Sequence, residues 1–371
     1  MRVLMQSRQN LFTLPGGDTI QLLKTKEYLE RRGVNVDIST ELEPDLSEYD
    51  IVHLFNLTRV QETYFQARNA KKQNKKIILS TIYWPSDEFE RKGQVGIRKV
   101  INNLISINNI ERLKAFYKYY IKDEKHKGTK YLILNSFNKM QNEILQWADW
   151  FLPNSYMEME ELGKRFNFNN NNYTVVPNAI DADKINNLNN CRDDDKYIRY
   201  KDYILCVGRL ETRKNQLNLI KALKNTNYKV LFIGNIPPGH KKYGEKVINE
   251  IRLNDNFEYI EKVDNSELYK IYKQCKVHIL PSWLETPGLV SLEAAVMGCN
   301  IVVSDRGTTK DYFKDYAYYC SPNDIESILN ATNKAMNDKY DDNFRKHILN
   351  NYTWEKAAEE TEKGYKVLLS L

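Results

Sequence analysis

Segments that resemble strands alternate with segments that resemble helices along the whole chain of 371 residues. The segment 19–32, for example, carries apolar residues at roughly helical steps, ends before Gly33 and lies between two short apolar runs. This alternation is typical of parallel sheets covered by helices. We therefore predict an α/β fold of two doubly wound, Rossmann-like domains that face each other across a cleft.

Apolar runs mark eleven predicted strands, five in the first half of the chain and six in the second. They are Arg2–Gln6, Val34–Ser39, Ile51–Leu54, Ile77–Thr81, Phe151–Pro153, Tyr203–Val207, Val230–Ile233, Phe257–Ile260, Val277–Leu280, Ile301–Ser304 and Ala317–Cys320. Helices are predicted between them, for instance at 216–223 and 266–274. The length suits two domains, and a polar middle indicates a hinge near 178–183, so the predicted domains are 1–179 and 180–351.

Composition and charge exclude some classes of protein. Hydrophobic residues make up 42% of the chain, which is enough for two cores and argues against disorder. The excess of 55 Lys and Arg over 49 Asp and Glu is concentrated at 91–130, where eleven residues are basic and three are acidic. Because the rest of the chain is not basic, no nucleic-acid partner is expected.

The sequence also predicts a compartment. The apolar stretch of about 7–15 residues that a signal peptide needs does not follow the first predicted strand. No apolar run approaches the roughly 18 residues of a membrane-spanning helix. The five cysteines are odd in number and scattered. We therefore expect a cytoplasmic protein without disulfides.

The first segment suited to chemistry follows the strand predicted at 203–207. Its loop carries three cations, Arg209, Arg213 and Lys214, and a helix is predicted to start near Gln216. Backbone N–H groups at a helix start carry partial positive charge, to which the cations add. The loop is therefore suited to bind a diphosphate, and the alternative interpretation is a solvated basic loop.

The second segment, Pro281–Ala295, follows the strand predicted at 277–280. Glu285 precedes a helix that opens at Gly288, and Glu293 lies more than one turn inside that helix. Carboxylates accept hydrogen bonds from vicinal hydroxyls, so each glutamate suits one sugar ring. A glycine lets backbone N–H groups approach a phosphate closely. The alternative is a capped helix with two ordinary surface glutamates.

Together the two segments resemble the retaining nucleotide-sugar glycosyltransferases of family 4, which have the GT-B fold. The resemblance covers nearly the whole chain. Asp149–Ser155 is similar to the strand that ends the family's first domain, and Val176–Asp181 is similar to its hinge. Tyr352–Ala358 is similar to the start of its last helix, which implies that 352–371 crosses back onto the first domain.

The resemblance implies a function. A retaining transferase of this family would move a hexose from a UDP- or GDP-linked sugar to a hydroxyl of a glycan, such as a lipid-linked precursor of a cell-surface polysaccharide. Arg209 and Lys214 would bind the donor diphosphate, Glu285 the hydroxyls of the transferred sugar and Glu293 the ribose hydroxyls. Further donor-binding positions implied by the resemblance are Gly288, Leu289, Val290, Val263, Gly16 and Gly17. For the glycine pair, a plain turn is the alternative.

One departure from the family concerns the loop after the strand predicted at 77–81. Members often carry a histidine there, whereas this chain has Tyr83 and Trp84, one or the other of which we place in the acceptor wall. His53 is expected to be structural. Retention by front-face attack needs positioning and electrostatics more than a separate base, because the leaving phosphate can take the acceptor's proton.

No metal or other cofactor is expected. Asp181 and Asp183 have the D-x-D spacing that another glycosyltransferase fold uses for a divalent ion, but they follow a hinge-like Pro-Asn instead of a strand. No His or Cys cluster has the spacing of a zinc site.

The basic segment at 95–122 is predicted to contain one amphipathic helix over 97–121. Such a helix can lie on an anionic membrane surface, which would make the protein peripheral on the inner face of the membrane. The alternative is a helix that packs on the first domain and exposes a solvated charged face.

Two other functions are compatible with this sequence. A sugar-nucleotide epimerase can have the same fold, although the pair Glu285 and Glu293 argues against it. The second is a non-catalytic partner subunit that keeps the fold. The missing histidine favours this function, whereas the intact site residues argue against it.

Overall fold

The computed structural model describes residues 1–94, 105–121, 125–168, 170–189 and 195–371. The chain divides into two compact units. The first comprises Met1–Pro85, Ile101–Asn178 and Trp354–Leu371, and the second comprises Ser86–Val100 and Ala179–Thr353.

Strands and helices alternate through both units. The strands are β1 (Arg2–Gln6), β2 (Asn35–Ser39), β3 (Ile51–Phe55), β4 (Lys76–Ser80), β5 (Trp150–Phe151), β6 (Ile204–Val207), β7 (Val230–Ile233), β8 (Phe257–Ile260), β9 (Val277–Leu280), β10 (Asn300–Ser304) and β11 (Tyr318–Cys320). The helices are α1 (Gly17–Arg31), α2 (Val60–Lys72), α3 (Ile107–Ile121), α4 (Lys127–Leu134), α5 (Phe137–Trp147), α6 (Tyr156–Phe166), α7 (Ala182–Asn189), α8 (Asp195–Ile198), α9 (Gln216–Leu223), α10 (Lys241–Arg252), α11 (Asn265–Gln274), α12 (Leu289–Val296), α13 (Thr309–Phe313), α14 (Ile325–Asn337), α15 (Asp342–Asn351) and α16 (Trp354–Ser370).

Each unit contains one parallel sheet. The order is β2-β1-β3-β4-β5 in the first unit and β11-β10-β9-β6-β7-β8 in the second. Both orders are those of doubly wound folds, in which the chain reverses direction across the sheet at one point. This switch point lies between β1 and β3 in the first unit and between β6 and β9 in the second. The predicted class, two doubly wound α/β domains, is confirmed.

The central strands are buried along their length, without an alternation of buried and exposed positions. β3, β6, β9 and β10 are buried at every position. Helices cover both faces of a parallel sheet, so side chains on both faces of these strands lie inside. This burial explains why the strands were the clearest signal in the sequence.

The last helix, α16, belongs to the first unit. It packs against α1, β4 and β5, and Ala358, Tyr365 and Leu368 are fully buried in it. A Cβ atom added at Gly364 would lie 3.0 Å from Cδ2 of Leu152, so a glycine allows this close approach. Glu362 accepts a 2.7 Å hydrogen bond from Nε of Arg32 at the end of α1.

The structure differs from the sequence-based expectations in two places. Residues 86–94 group with the second unit, although the predicted boundary put them in the first domain. The single helix predicted over 97–121 is wrong within the described residues, because α3 begins at Ile107 and Ile105 is not helical. Ser106 starts the helix there, since its hydroxyl accepts a 3.4 Å bond from the N–H of Asn109, as N-terminal capping residues do.

Candidate functional site

Two loops meet at the carboxyl ends of β6 and β9, which are neighbours in the sheet of the second unit. Asn215, at the end of the loop after β6, donates a 3.0 Å bond to the carbonyl of Pro281, the residue that follows β9. The N–H of Trp283 donates a 2.8 Å bond to the carbonyl of Arg213. The two loops that carry the predicted motifs are therefore joined at the switch point, where doubly wound folds bind ligands.

A buried charge cluster lies between these loops. Nζ of Lys214 donates a hydrogen bond to Oε2 of Glu285, and both side chains are about one-tenth exposed. Nη1 of Arg213 lies 3.8 Å from the same carboxylate oxygen. Burial by itself raises the pKa of Glu285, but Lys214 and Arg213 outweigh it and hold that pKa below its usual value. Glu285 is thus an ionised carboxylate, held between two cations.

Glu211 holds the other cations of the loop. Its Oε1 accepts hydrogen bonds from Nε and Nη2 of Arg213 at 3.2 and 3.0 Å. Nη2 of Arg209 lies 3.4 Å from Oε2 of Glu211, and the Arg209 side chain is 47% exposed. Arg209 is therefore a solvent-accessible cation, whereas Arg213 is also bound to the carbonyl of Leu284 at 2.9 Å.

The backbone around Glu285 is held by two glycines. Gly288 has a φ of +89° and lets the chain turn into α12, and a Cβ atom there would lie 3.0 Å from Cγ of Glu285. Gly307 has a φ of +84°, and a Cβ atom there would lie 1.8 Å from the Glu285 carbonyl oxygen. The N–H of Thr308 donates a 3.1 Å bond to that same oxygen. The loop after β10 therefore fixes Glu285 by backbone contact.

Glu293 occupies a different environment on α12. It is half-buried, and the hydroxyl of Tyr272 donates a 3.5 Å bond to its Oε2. Burial raises the pKa of this carboxyl to about 7, against the opposing influence of Tyr269 and Lys184. The two glutamates thus differ, because Glu285 is kept ionised by cations and Glu293 titrates near neutrality.

The other predicted positions of the second unit lie at the ends of its elements. Leu289 and Val290 are the first two residues of α12, whose N–H groups have no acceptor within the helix. Val263 lies in the loop after β8, which ends at Ile260, and its side chain is half-buried against the core.

In the first unit, Gly16 and Gly17 lie at the start of α1, after β1. The loop before them is held by Arg8, a buried side chain whose Nε donates a 2.6 Å bond to Asp18. Nη2 of Arg8 also donates to the carbonyl of Leu14 at 2.9 Å. This arrangement leaves Arg8 engaged inside its own loop, and the glycine pair lies at the carboxyl edge of the sheet near the switch point of its unit.

Glu158 on α6 joins the loops after β4 and β5. It is fully buried, and it accepts hydrogen bonds from the hydroxyl of Thr81, the N–H of Tyr83 at 2.7 Å and the N–H of Asn154 at 2.9 Å. Between Thr81 and Tyr83 lies Ile82 with a φ of +42°, an unusual conformation for a β-branched residue. Tyr83 is buried in the core, so Trp84, which is half-buried, remains as the candidate for the acceptor wall.

His53 is structural, as expected. Its Nδ1 lies 2.7 Å from the hydroxyl of Tyr365 and its Nε2 lies 2.8 Å from Oγ of Ser80. Burial lowers the pKa of this imidazole to about 3, so it is neutral.

Two further observations concern the described residues as a set. In this part of the chain, no group of three His, Cys, Asp or Glu side chains is arranged to hold a metal ion. Of the helices that the structure describes, none combines the length and the apolar character needed to cross a membrane.

The arrangement can be compared with known proteins. Sucrose-phosphate synthase of Thermosynechococcus elongatus has a similar structure, with a TM-score of 0.69 at 16% identity over 100% of this chain and 99% of that one. Alr3699/HepE of Anabaena, solved in complex with UDP and glucose, has a TM-score of 0.67 at 13% identity over 99% of this chain and 100% of that one. The fold is GT-B. Residues 193–353 match the family model of Glycosyl transferases group 1, which covers the second GT-B unit and less than half of the chain.

Sequence relatives point in the same direction. An uncharacterized glycosyltransferase of Methanocaldococcus jannaschii is 28% identical over 194 residues, which are 48% of this chain and 47% of the relative. The N-acetylgalactosamine-N,N'-diacetylbacillosaminyl-diphospho-undecaprenol 4-alpha-N-acetylgalactosaminyltransferase of Campylobacter jejuni is 28% identical over 190 residues, 49% of this chain and 50% of the relative. The chain therefore spans about half the length of these curated relatives.

Within this GT-B chain, the structure brings together only some of the predicted site residues. Lys214 and Glu285 are in contact, and Gly288 adjoins Glu285, whereas Glu293 has other partners. The sequence reasoning missed Gly307 and gave Arg213 no role beyond loop charge. The position of Arg213, one residue before Lys214, could have indicated a role in the site. Nothing in the sequence around Gly307 indicates its contact with Glu285.

Proposed function

We propose that this protein is a retaining glycosyltransferase, similar to those of family 4, that moves a hexose from a UDP- or GDP-linked sugar to a hydroxyl of a glycan. The observation that carries the proposal is the charge cluster of Arg213, Lys214 and Glu285 at the switch point of the second unit. It combines cations suited to a diphosphate with a carboxylate suited to sugar hydroxyls, and a GT-B neighbour is solved with UDP and glucose.

The cations and a helix start would hold the donor diphosphate. Arg209 is the exposed cation of the loop and Lys214 retains N–H groups that its single bond to Glu285 does not use. The N–H groups of Leu289 and Val290 add the partial positive charge of a helix N-terminus. Because these groups supply the positive charge that a diphosphate leaving group requires, we propose that the reaction needs no metal ion.

The glutamates would hold the two sugar rings. The ionised Glu285 can accept hydrogen bonds from hydroxyls of the transferred hexose, and Glu293 from the ribose hydroxyls. During transfer, the bond from the anomeric carbon to the phosphate oxygen breaks and a bond to the acceptor oxygen forms on the same face. The acceptor's proton passes to the leaving phosphate oxygen, so the residues contribute position and electrostatic stabilisation. Val263 would contact the base.

The first unit would bind the acceptor. A lipid-linked acceptor is proposed because the name of the Campylobacter jejuni relative describes transfer to a diphospho-undecaprenol glycan. Other relatives are named as O-antigen mannosyltransferases of Escherichia coli and Salmonella typhimurium. Acceptor and linkage in this chain are proposals that rest on these names.

The exposed face of α3 supports contact with an anionic membrane. Leu113, Phe116, Tyr117, Tyr120 and Ile121 are each half or more exposed and follow one another at helical steps, so they form one apolar stripe. Basic side chains at 112, 114 and 118 accompany this stripe. Apolar side chains with lysines beside them suit the headgroup region of a membrane better than bulk water. Most of the other predicted basic residues, at 95–104 and 122, lie outside the described residues.

Nucleotide binding and product analysis test the proposal. UDP or GDP should raise the melting temperature of the purified protein, and a panel of nucleotide sugars observed by ligand NMR should identify the donor. Arg209→Ala should weaken binding, whereas Arg199→Ala, which removes an exposed ion pair with Glu258 in the same unit, should not. If neither nucleotide binds at millimolar concentration, the proposal is wrong. Formation of an epimer without transfer would identify an epimerase, and absence of both reactions would identify a non-catalytic subunit.

A further inference from the structure

Residues 86–94, here called the arm, follow the loop after β4, a strand of the first unit, yet belong to the second unit. The arm contains a π-helical turn at Phe89–Gly93. It contacts the second unit at two separate points, and both points adjoin Glu285. We propose that the arm is a positioning element that holds the Glu285 loop in its donor-binding geometry, an inference that rests on the proposed function.

The first point is an ion pair with the loop after β10. Nε of Arg306 donates a 2.6 Å bond to Oε2 of Glu88, and Nη2 donates a 3.2 Å bond to Oε1. This two-bond geometry fixes direction as well as distance. Arg306 lowers the pKa of Glu88, so the arm contributes an ionised carboxylate. The residue after Arg306 is Gly307, whose backbone lies against the carbonyl of Glu285.

The second point is a packed contact with the loop after β9. Gly93 is buried against the indole of Trp283, and a Cβ atom there would lie 2.9 Å from Cγ of that ring. Trp283 is itself 6% exposed, lies two residues before Glu285, and donates its N–H to the carbonyl of Arg213. The backbone hydrogen bond from Trp283 to Arg213 joins the two loops that form the charge cluster. A displacement of the indole should therefore move both loops.

The arm contacts two segments that hold Glu285. One is Trp283, two residues before Glu285, and the other is the loop of Arg306, which contacts the Glu285 carbonyl. Free loops would have to be ordered when the donor binds, and that ordering reduces affinity. An arm that orders them beforehand should therefore act on donor affinity without touching the donor. Neither Glu88 nor Gly93 is a catalytic residue in this scheme; both act through the loops they hold.

Four variants and one control test the arm. Glu88→Gln and Arg306→Gln remove the ion pair singly and together, and Gly93→Ala forces a methyl group toward the Trp283 ring. Lys92→Gln is the control, since Lys92 pairs with Glu88 at 3.1 Å and makes no bond to the loop after β10. Binding of UDP and GDP, the donor and acceptor KM values, and hydrogen exchange at 209–214 and 281–285 are measured on each purified protein.

The arm variants should raise the nucleotide Kd and the donor KM about fivefold or more, leave the acceptor KM unchanged and speed exchange in both loops. The effects of Glu88→Gln and Arg306→Gln should not add, because they break the same pair. The inference is overturned if the arm variants bind nucleotide as tightly as Lys92→Gln does, or if hydrogen exchange in their two loops is unchanged. Nucleotide binding by the wild-type protein would still support the proposed function in that case. If the wild-type protein binds neither nucleotide, the proposed function fails, and this inference fails with it.

Discussion

Lys214 and Glu285 form an ion pair between two loops that are 71 residues apart in sequence, and each side chain is only about one-tenth exposed. Taking charges out of water is costly, and the pair is tolerable because each partner neutralises the other. The ion pair is therefore expected to contribute both to the stability of the second unit and to its proposed chemistry. These two contributions can be separated by substitution.

Glu285→Ala should abolish transfer and also destabilise the protein by about 3–5 kcal/mol, because it leaves the charge of Lys214 buried without a partner. The double variant Lys214→Met with Glu285→Leu should recover most of the loss in urea unfolding and remain inactive. A single variant as stable as the wild type would show that the pair is solvated.

Arg209→Ala should leave the free energy of unfolding within about 0.5 kcal/mol of the wild type, because the side chain is half-exposed and its ion pair contributes little. Its removal should nevertheless weaken nucleotide binding by about tenfold or more, since hydrogen bonds to charged groups contribute about 1.5–3 kcal/mol. Isothermal calorimetry with UDP and GDP provides the measurement. Equal affinity in Arg209→Ala and Arg199→Ala would remove Arg209 from the proposed site.

Glu158 should make stability depend on pH. Burial raises the pKa of its carboxyl to about 7, so the folded protein binds a proton that the unfolded chain, with a carboxyl pKa of 4.5, releases. The stabilising effect of that proton is complete below pH 4.5 and is lost as the pH rises through about 7, an effect on the order of 3 kcal/mol.

Chemical unfolding of the wild type and Glu158→Gln between pH 4.5 and 8 tests this dependence. The variant should lose this contribution to the pH slope, and it should be less stable at low pH, because its amide cannot accept all three hydrogen bonds from Thr81, Tyr83 and Asn154. Identical slopes in the two proteins would show that Glu158 is ionised throughout.

The stripe on α3 should direct binding to anionic vesicles. Replacing Phe116 and Tyr120 by Ser should weaken binding because these rings are more than half exposed, and replacing Lys114 and Lys118 by Glu should weaken it further at low salt. Leu253→Ser is a matched control, because Leu253 is 78% exposed on the second unit. Nucleotide affinity should stay constant in every variant. Flotation assays that show equal vesicle binding would leave α3 as a solvated face.

The sequence predicted best what depends on local pattern. β1, β7, β8 and β9 have the predicted bounds. β7 and β9 are buried at every position, and a fully buried parallel strand leaves an apolar run that needs no knowledge of its neighbours. The cation loop and the glutamate loop were likewise recognisable from their order along the chain.

What the sequence did not predict depends on contacts between distant segments. The sequence placed the arm in the first domain, whereas the structure groups it with the second unit. The contacts that hold it there are made by Arg306 and Trp283, about 200 residues further along the chain. Nothing in the sequence around Glu88 or Gly93 indicates these distant partners. Gly307 was overlooked for the same reason, since only the approach of the Glu285 carbonyl makes a glycine necessary there. The helix over 97–121 failed because the apolar period continues across Ser106, where a capping bond starts a new helix.

The packing of α16 has a consequence for protein synthesis. Tyr365 of α16 lies against His53 of β3, and Glu362 of α16 lies against Arg32 at the end of α1. The sheet of the first unit is therefore covered in part by α16. The second unit, in contrast, is complete at Thr353. Because α16 follows the second unit along the chain, the ribosome completes the first unit after the second, and part of the apolar surface of the first unit stays uncovered until α16 emerges. Shortening or fusing the chain near Tyr365 should accordingly affect the proposed acceptor side before the donor side.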